Sequence, residues 1–125
     1  MANEPILIID DNALNLELIT YLLTMHQYDV HTAASSNEAI KTLKTFQPLI
    51  ILTDLQLPDI DGIELIQKLK ADEKYKHIPI IAITARAMKG DKEKALAVGC
   101  DEYITKPIDV KTLPGIVGSY LRKKK

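Results

Sequence analysis

Three uninterrupted apolar runs punctuate the chain, at Pro5-Ile6-Leu7-Ile8-Ile9, at Pro48-Leu49-Ile50-Ile51-Leu52-Thr53 and at Ile78-Pro79-Ile80-Ile81-Ala82-Ile83. Runs of this length and composition predict strands covered on both faces, as in parallel sheets. Each stops at a polar side chain: Asp10-Asp11, Asp54 and Thr84. Two weaker segments, Tyr28 to Ala33 and Glu102 to Thr105, predict edge strands, the second followed by Lys106-Pro107. Between the strands the apolar period lengthens to three and four, which predicts helices. Leu14, Leu18, Leu22 and Met25 mark the first, from Asn12 to Met25, with Asp11 or Asn12 as cap. Ser35 and Glu38 form a capping-box pattern ahead of Ala39, Ile40, Leu43 and Phe46. A turn-forming stretch from Leu55 to Gly62 leads into Ile63, Ile66 and Leu69, a helix ending near Asp72. The fourth helix, roughly 89–98, is charge-rich (Lys89, Asp91, Lys92, Glu93, Lys94) and stops at Gly99. Val110, Leu113, Ile116, Val117 and Tyr120 give the last, with Pro114 and Gly115 interrupting its first half.

Strands alternating with helices in this way predict a doubly wound α/β fold with right-handed crossovers. The three most apolar strands belong in the centre and the two weaker ones at the edges. That gives a five-stranded parallel sheet of order 2-1-3-4-5, a flavodoxin-like (βα)5 arrangement, with residues 1–125 as one domain. Ligands in such folds bind beyond the carboxyl ends of the strands, near the switch point between strands 1 and 3. Asp10, Asp11, Asp54, Thr84 and Lys106 all fall there.

Composition narrows the class. The chain has 125 residues, 46% hydrophobic and 26% charged, with a net charge of −1, which gives no support for non-specific nucleic-acid binding. A chain of this length buries about two thirds of the surface it exposes when unfolded. Neither a membrane-length apolar stretch nor the pattern of a signal peptide is present, and the single Cys100 fits a reducing compartment. A cytoplasmic protein with no membrane contact is expected.

Carboxylates crowded into one crevice must take up protons or recruit a cation. An all-oxygen donor set without His or Cys suits Mg²⁺ better than zinc. Lys106 and Thr84 would complete a cradle for a dianion, and the chemistry this permits is phosphoryl transfer to a carboxylate oxygen of Asp54. Taken singly, each residue has an ordinary alternative: Asp11 as a helix cap, Asp54 as a turn former, Thr84 and Lys106 as solvated strand ends. It is their joint placement at four strand ends that points to a site.

The same residues resemble the receiver domains of response regulators in two-component signalling. Asp10-Asp11 resembles that family's acidic pair, and Leu52-Thr53-Asp54-Leu55-Gln56-Leu57-Pro58-Asp59-Ile60-Asp61-Gly62 its phosphoacceptor motif. Ile83-Thr84-Ala85 is similar to the hydroxyl switch position with its small neighbour, and Lys106-Pro107 to the lysine followed by a cis-proline. The resemblance spans essentially the whole chain. It implies that Asp54 is the phosphoacceptor and that Lys106 and Thr84 contact the phosphoryl group. It also implies Mg²⁺ bound by the side chains of Asp11 and Asp54 and the backbone carbonyl of Gln56, with Asp10 acting mostly through water. Tyr103 falls at the aromatic switch position, where a half-buried core tyrosine is the plainer reading. Gln56, Ala85 and Arg86 fall where members tune phosphate lifetime. The implied donors are a histidine kinase or a histidine phosphotransfer protein. The implied output surface is the face of helix 4, strand 5 and helix 5, which contacts a downstream protein rather than nucleic acid. Whether phosphorylation drives dimerisation is left open.

A stand-alone receiver, a signalling phosphoacceptor and not an enzyme acting on other substrates, is the expectation, since no residues remain for an output domain. A receiver excised from a hybrid kinase or multidomain regulator is one alternative. Another is a Mg²⁺-dependent aspartyl-phosphate phosphatase or phosphotransferase. Such enzymes generally need an acid–base carboxylate two residues after the nucleophile, where Gln56 stands. A flavin-nucleotide protein of similar architecture would need a hydroxyl-rich loop after strand 1, which Asp10-Asp11-Asn12 is not. His26, His31 and His77 show no metal-ligand spacing and no evident carboxylate partner. Cys100 reads as an inert, partly buried thiol, and Arg122-Lys123-Lys124-Lys125 as a solvated end.

Overall fold

The computed structural model describes residues 4–85 and 90–123, excluding the side chains of Arg122 and Lys123. Strands β1 (Pro5–Ile9), β2 (Asp29–Ala33), β3 (Ile50–Asp54), β4 (Ile80–Thr84) and β5 (Glu102–Thr105) alternate with helices α1 (Ala13–Met25), α2 (Ser36–Leu43), α3 (Gly62–Ala71), α4 (Asp91–Ala97) and α5 (Leu113–Lys123). All strand pairs are parallel and the order is β2-β1-β3-β4-β5, as the hydrophobicity ranking predicts. β1, β3 and β4 carry the long apolar runs because both of their faces are covered.

Alternation along the strands splits the interior into two layers. Leu7, Ile9, Ile51, Ile80 and Ala82 pack against Ala39 and Leu43 of α2, Leu65, Ile66 and Leu69 of α3, and Ala95 of α4. Ile6, Ile8, Ile50, Leu52, Ile81 and Ile83 pack on the other side against Ile19 and Leu23 of α1 and Leu113, Val117 and Leu121 of α5. Ladder register aligns the strand ends. Ile9 lies beside Ala33 and Thr53, Asp54 beside Ile83, and Thr84 beside Thr105. The residues after those ends therefore leave the sheet at one level.

Three expectations are corrected. The first concerns α1, which turns Ile19 and Leu23 to the sheet, with Leu16 and Leu22 partly buried, and leaves Leu14 (75%), Leu18 (41%) and Met25 (62%) exposed. This helix is apolar on most of its circumference, so more than one stripe satisfies a period of three and four. The crossover onto the sheet selects Leu16, Ile19 and Leu23. The second concerns Val110, which precedes α5 and is 46% exposed. Pro114 and Gly115 lie in the first turn of α5, where backbone N–H groups have no intrahelical partner and proline costs little. The third concerns Glu38: Ser35 Oγ accepts from Glu38 N as a capping box requires, but Glu38 reaches back to the N–H of Ala34, not of Ser35. α4 starts at Asp91, and Lys89 lies outside the described residues. Gly99 ends the turn after α4 with φ +111°, a left-handed conformation that suits glycine.

Candidate functional site

β1 delivers Asp10 and Asp11 to the carboxyl edge of the sheet. The Asp10 carboxylate is 2% exposed; one oxygen accepts the backbone N–H of Asn12 (2.8 Å), while the Asp10 N–H donates to the carbonyl of Ala33 at the end of β2 (3.0 Å). Asp11 is exposed beside it. Asn12, not Asp11, caps α1, its Oδ1 accepting from Asn15 N, which leaves the Asp11 carboxylate uncommitted to the helix.

β3 ends in Asp54, 5% exposed, whose Oδ1 accepts the Gln56 N–H at 2.9 Å. The remaining oxygens of Asp10 and Asp54 converge on one ammonium: Lys106 Nζ donates to Asp10 Oδ2 at 3.0 Å and to Asp54 Oδ2 at 2.8 Å. Burial works to lower the Lys106 pKa, but the hydrogen bonds and charges of Asp54 and Asp10 outweigh it and hold the ammonium above its ordinary 10.5. The Lys106 N–H donates to the Thr84 carbonyl (2.8 Å), which anchors its backbone beside the end of β4; its bond to Pro107 is cis. Thr84, one residue beyond the Asp54–Ile83 register pair, is buried, and Ala85 after it is exposed. Arg86 lies outside the described residues.

Asp10, Asp11 and Asp54 each offer an oxygen within 4.8 Å of the others. Among the described residues, three carboxylates face one lysine, which leaves an excess of negative charge, with Asp11 open to water. That hard-oxygen set, incompletely neutralised and accessible from one side, fits a divalent cation of the Mg²⁺ type.

A model of the response regulator receiver domain matches residues 6–117. This chain belongs to the receiver-domain family. The receiver is 41% identical over 118 residues to the polar-differentiation response regulator DivK of Brucella ovis and of Brucella abortus, covering 94% of this chain and 96% of each relative. Among solved structures it is similar to a two-component response regulator from Clostridium difficile (TM-score 0.92, 26% identity, 98% and 99% of the two chains). It is similar also to the receiver domain of a sensor histidine kinase from Pseudomonas aeruginosa PAO1 (TM-score 0.88, 31% identity, 97% and 99%), which holds a magnesium ion in its active-site cleft. Receiver domains act in two-component signalling, where histidine kinases or phosphotransfer proteins phosphorylate them and they engage downstream targets.

Away from the acids, Tyr103 of this receiver is half-buried against the α2–α3–α4 layer. Its hydroxyl is enclosed with no hydrogen-bond partner among the described residues. Burial, reinforced by the charge of Asp91, raises its pKa above 10.0. Cys100 is buried and its Sγ donates to the Glu102 carbonyl; desolvation raises its pKa, as an inert thiol requires. His31 corrects the expectation that the histidines lack carboxylate partners: its Nε2 lies 3.1 Å from Asp29 Oδ2, and its ring stacks on Phe46 at 4.0 Å. Period-two spacing places residues 29 and 31 on one strand face, a signal that was available.

Sequence reasoning did not find the partners of Asp59. Its carboxylate accepts from Ser36 N (3.0 Å) and Asn37 N (2.8 Å), the free N–H groups at the start of α2. The hydrogen bond from the Asn37 N–H, which favours the charged form, holds its carboxyl below the ordinary value. In sequence Asp59 is one of several turn formers, and nothing there announces a contact spanning more than twenty residues.

Proposed function

We propose that this chain is a response regulator that accepts a phosphoryl group on an oxygen of Asp54 and signals through protein–protein contacts. The observation that carries this reading is the shared ammonium: Lys106 bonds one oxygen of Asp54 at 2.8 Å and one of Asp10 at 3.0 Å, at the mouth of an acidic cluster. Asp54 attacks the phosphorus through a carboxylate oxygen, the donor's bond to phosphorus breaks, and the donor keeps that bond's electron pair. The side chains of Asp11 and Asp54 and the backbone carbonyl of Gln56 would hold Mg²⁺, with Asp10 supporting it mainly through water. A bound cation supplies neutralisation of the charge on the transferred oxygens. Lys106, already at the Asp54 oxygen, adds a positive charge there, and Thr84 offers a hydroxyl at the neighbouring strand end. The exposed Ala85 leaves the approach open, while Gln56 and Arg86 are the positions assigned to tuning phosphate lifetime.

The phosphoryl donor is a histidine kinase or a histidine phosphotransfer protein, in the cytoplasm. None of the described helices is long and apolar enough to cross a membrane. The output face is that of α4, β5 and α5, where Tyr103 acts as the aromatic switch; its enclosed hydroxyl, without a hydrogen-bond partner among the described residues, supports a side chain with a reason to move. The match to DivK over 96% of that protein's length supports a regulator built of a receiver alone. Incubation with acetyl phosphate and Mg²⁺ tests the reading: one acid-stable, base-labile phosphoryl group should be added, and Asp54→Asn should abolish it. Equal labelling of the variant would exclude Asp54.

A further inference from the structure

The stretch 55–61 carries Gln56 and is closed at its base by the Gly62 N–H donating to the Leu55 carbonyl (2.9 Å). Leu57 packs into the core beneath it. Its outer part is tied across to α2 by three hydrogen bonds. Asp59 accepts from the N–H groups of Ser36 and Asn37, and Ser36 Oγ, fully buried, donates to the Ile60 carbonyl at 2.7 Å. Local capping of α2 does not need Asp59, because Ser35 Oγ already serves Glu38 N. Ala34 and the cap Ser35 join α2 to Ala33, whose carbonyl accepts the Asp10 N–H at 3.0 Å. A short path of bonds thus runs from Asp10 through the end of β2 and the start of α2 to Asp59 and the loop bearing Gln56.

We propose that Asp59 is a positioning residue for the acidic pocket. By clamping the β3–α3 loop to the first turn of α2, it fixes the Gln56 carbonyl relative to Asp10 and Asp54 and so sets metal affinity. This rests on the metal and phosphoacceptor reading above. Outer-shell partners of metal ligands usually change affinity by about 10- to 100-fold. Because the clamp acts through a backbone, the lower figure, about tenfold, is expected for Asp59→Ala.

Mg²⁺ affinity by titration calorimetry, the dependence of acetyl-phosphate labelling on Mg²⁺, and amide hydrogen exchange of the metal-free protein should be compared for wild type, Asp59→Ala and Ser35→Ala. Ser35→Ala removes a cap from the same helix without touching the loop. Asp59→Ala should weaken Mg²⁺ about tenfold while labelling at saturating Mg²⁺ stays within about twofold. It should also speed exchange at residues 56–61. Ser35→Ala should loosen α2 and leave Mg²⁺ affinity unchanged. Unaltered affinity in Asp59→Ala, or equal weakening by Ser35→Ala, would overturn the proposal. A wild-type protein that takes up neither Mg²⁺ nor phosphate would defeat the functional reading itself. Unchanged exchange at 56–61 in Asp59→Ala would separately defeat the clamp.

Discussion

Replacing Lys106 with methionine keeps most of the side-chain volume and removes the charge that two enclosed carboxylates share. The side chains of Lys106, Asp10 and Asp54 are 12%, 3% and 6% exposed, so water can compensate little. At an effective dielectric constant of about 20, each of the two contacts is an attraction of about 6 kcal/mol, and carboxylate oxygens within 4.8 Å of each other repel by at least about 3.5 kcal/mol. Much of that attraction offsets the desolvation of the ions. Breaking a buried pair from one side costs about 3–5 kcal/mol, because it strands the partner's charge. Lys106→Met should therefore lose about 3–5 kcal/mol in the absence of divalent ions. At about 4 °C per kcal/mol for a domain of this size, the melting temperature should fall by about 12–20 °C. Mg²⁺ should restore part of the loss, since the cation takes over the missing charge. Wild type gains about 1.4 kcal/mol at ten times its dissociation constant, and a variant binding tenfold tighter gains about 2.7 kcal/mol at the same concentration. Urea unfolding followed by far-ultraviolet circular dichroism, with and without millimolar Mg²⁺ at fixed ionic strength, measures each quantity. A loss under about 1 kcal/mol without Mg²⁺, the range of solvated surface pairs, or a Mg²⁺ gain no larger than that of wild type, would refute the reasoning.

Gly62→Ala would place a Cβ 2.5 Å from the Asp54 carbonyl oxygen and from Leu55 Cα, backbone atoms that cannot rotate aside. A helix-propensity gain of about 1 kcal/mol should be outweighed, with a net loss of about 2–3 kcal/mol in urea unfolding. Tyr103→Phe removes a buried hydroxyl with no partner among the described residues and should raise stability by about 1 kcal/mol in the same assay; a loss of that size would place a further partner on the oxygen. Tyr120 Oη donates to Glu102 and to the Asp101 carbonyl, and burial, followed by the Glu102 bond, raises its pKa from 10.0 to about 12. The unfolded chain then loses that proton first, so stability is intact below pH 10 and declines as the pH rises towards 12. Discounted for solvent screening, the decline is about 1 kcal/mol, and Tyr120→Phe should flatten it in pH-dependent unfolding curves.

The sheet was legible because parallel strands covered on both faces need unbroken apolar runs, and the ranking of those runs supplied the order. Placement of the polar strand ends followed from that order alone. The carboxylates and Lys106 were predicted to meet because β1, β3 and β5 end at one level. Helix faces were harder. α1 offers apolar residues in nearly every direction, so choosing its buried stripe required knowing how the crossover lands on the sheet. Asp59 was unreadable for another reason: its partners are backbone N–H groups of a distant helix, and backbone donors leave no mark in a sequence. His31 and Asp29 did leave one, in their spacing.

Lys106 leaves the sheet from β5, a strand of four residues bound on one side only, by β4. Asp10, Asp54 and Thr84 leave strands gripped from both flanks. A change of charge in the pocket thus pulls on three stiff anchors and one compliant one. Moving an interior strand would break two ladders and open both apolar layers, whereas easing the outermost one disturbs a single ladder. Strain raised among the acids would be released sideways, towards the rim of the molecule, without loosening its middle.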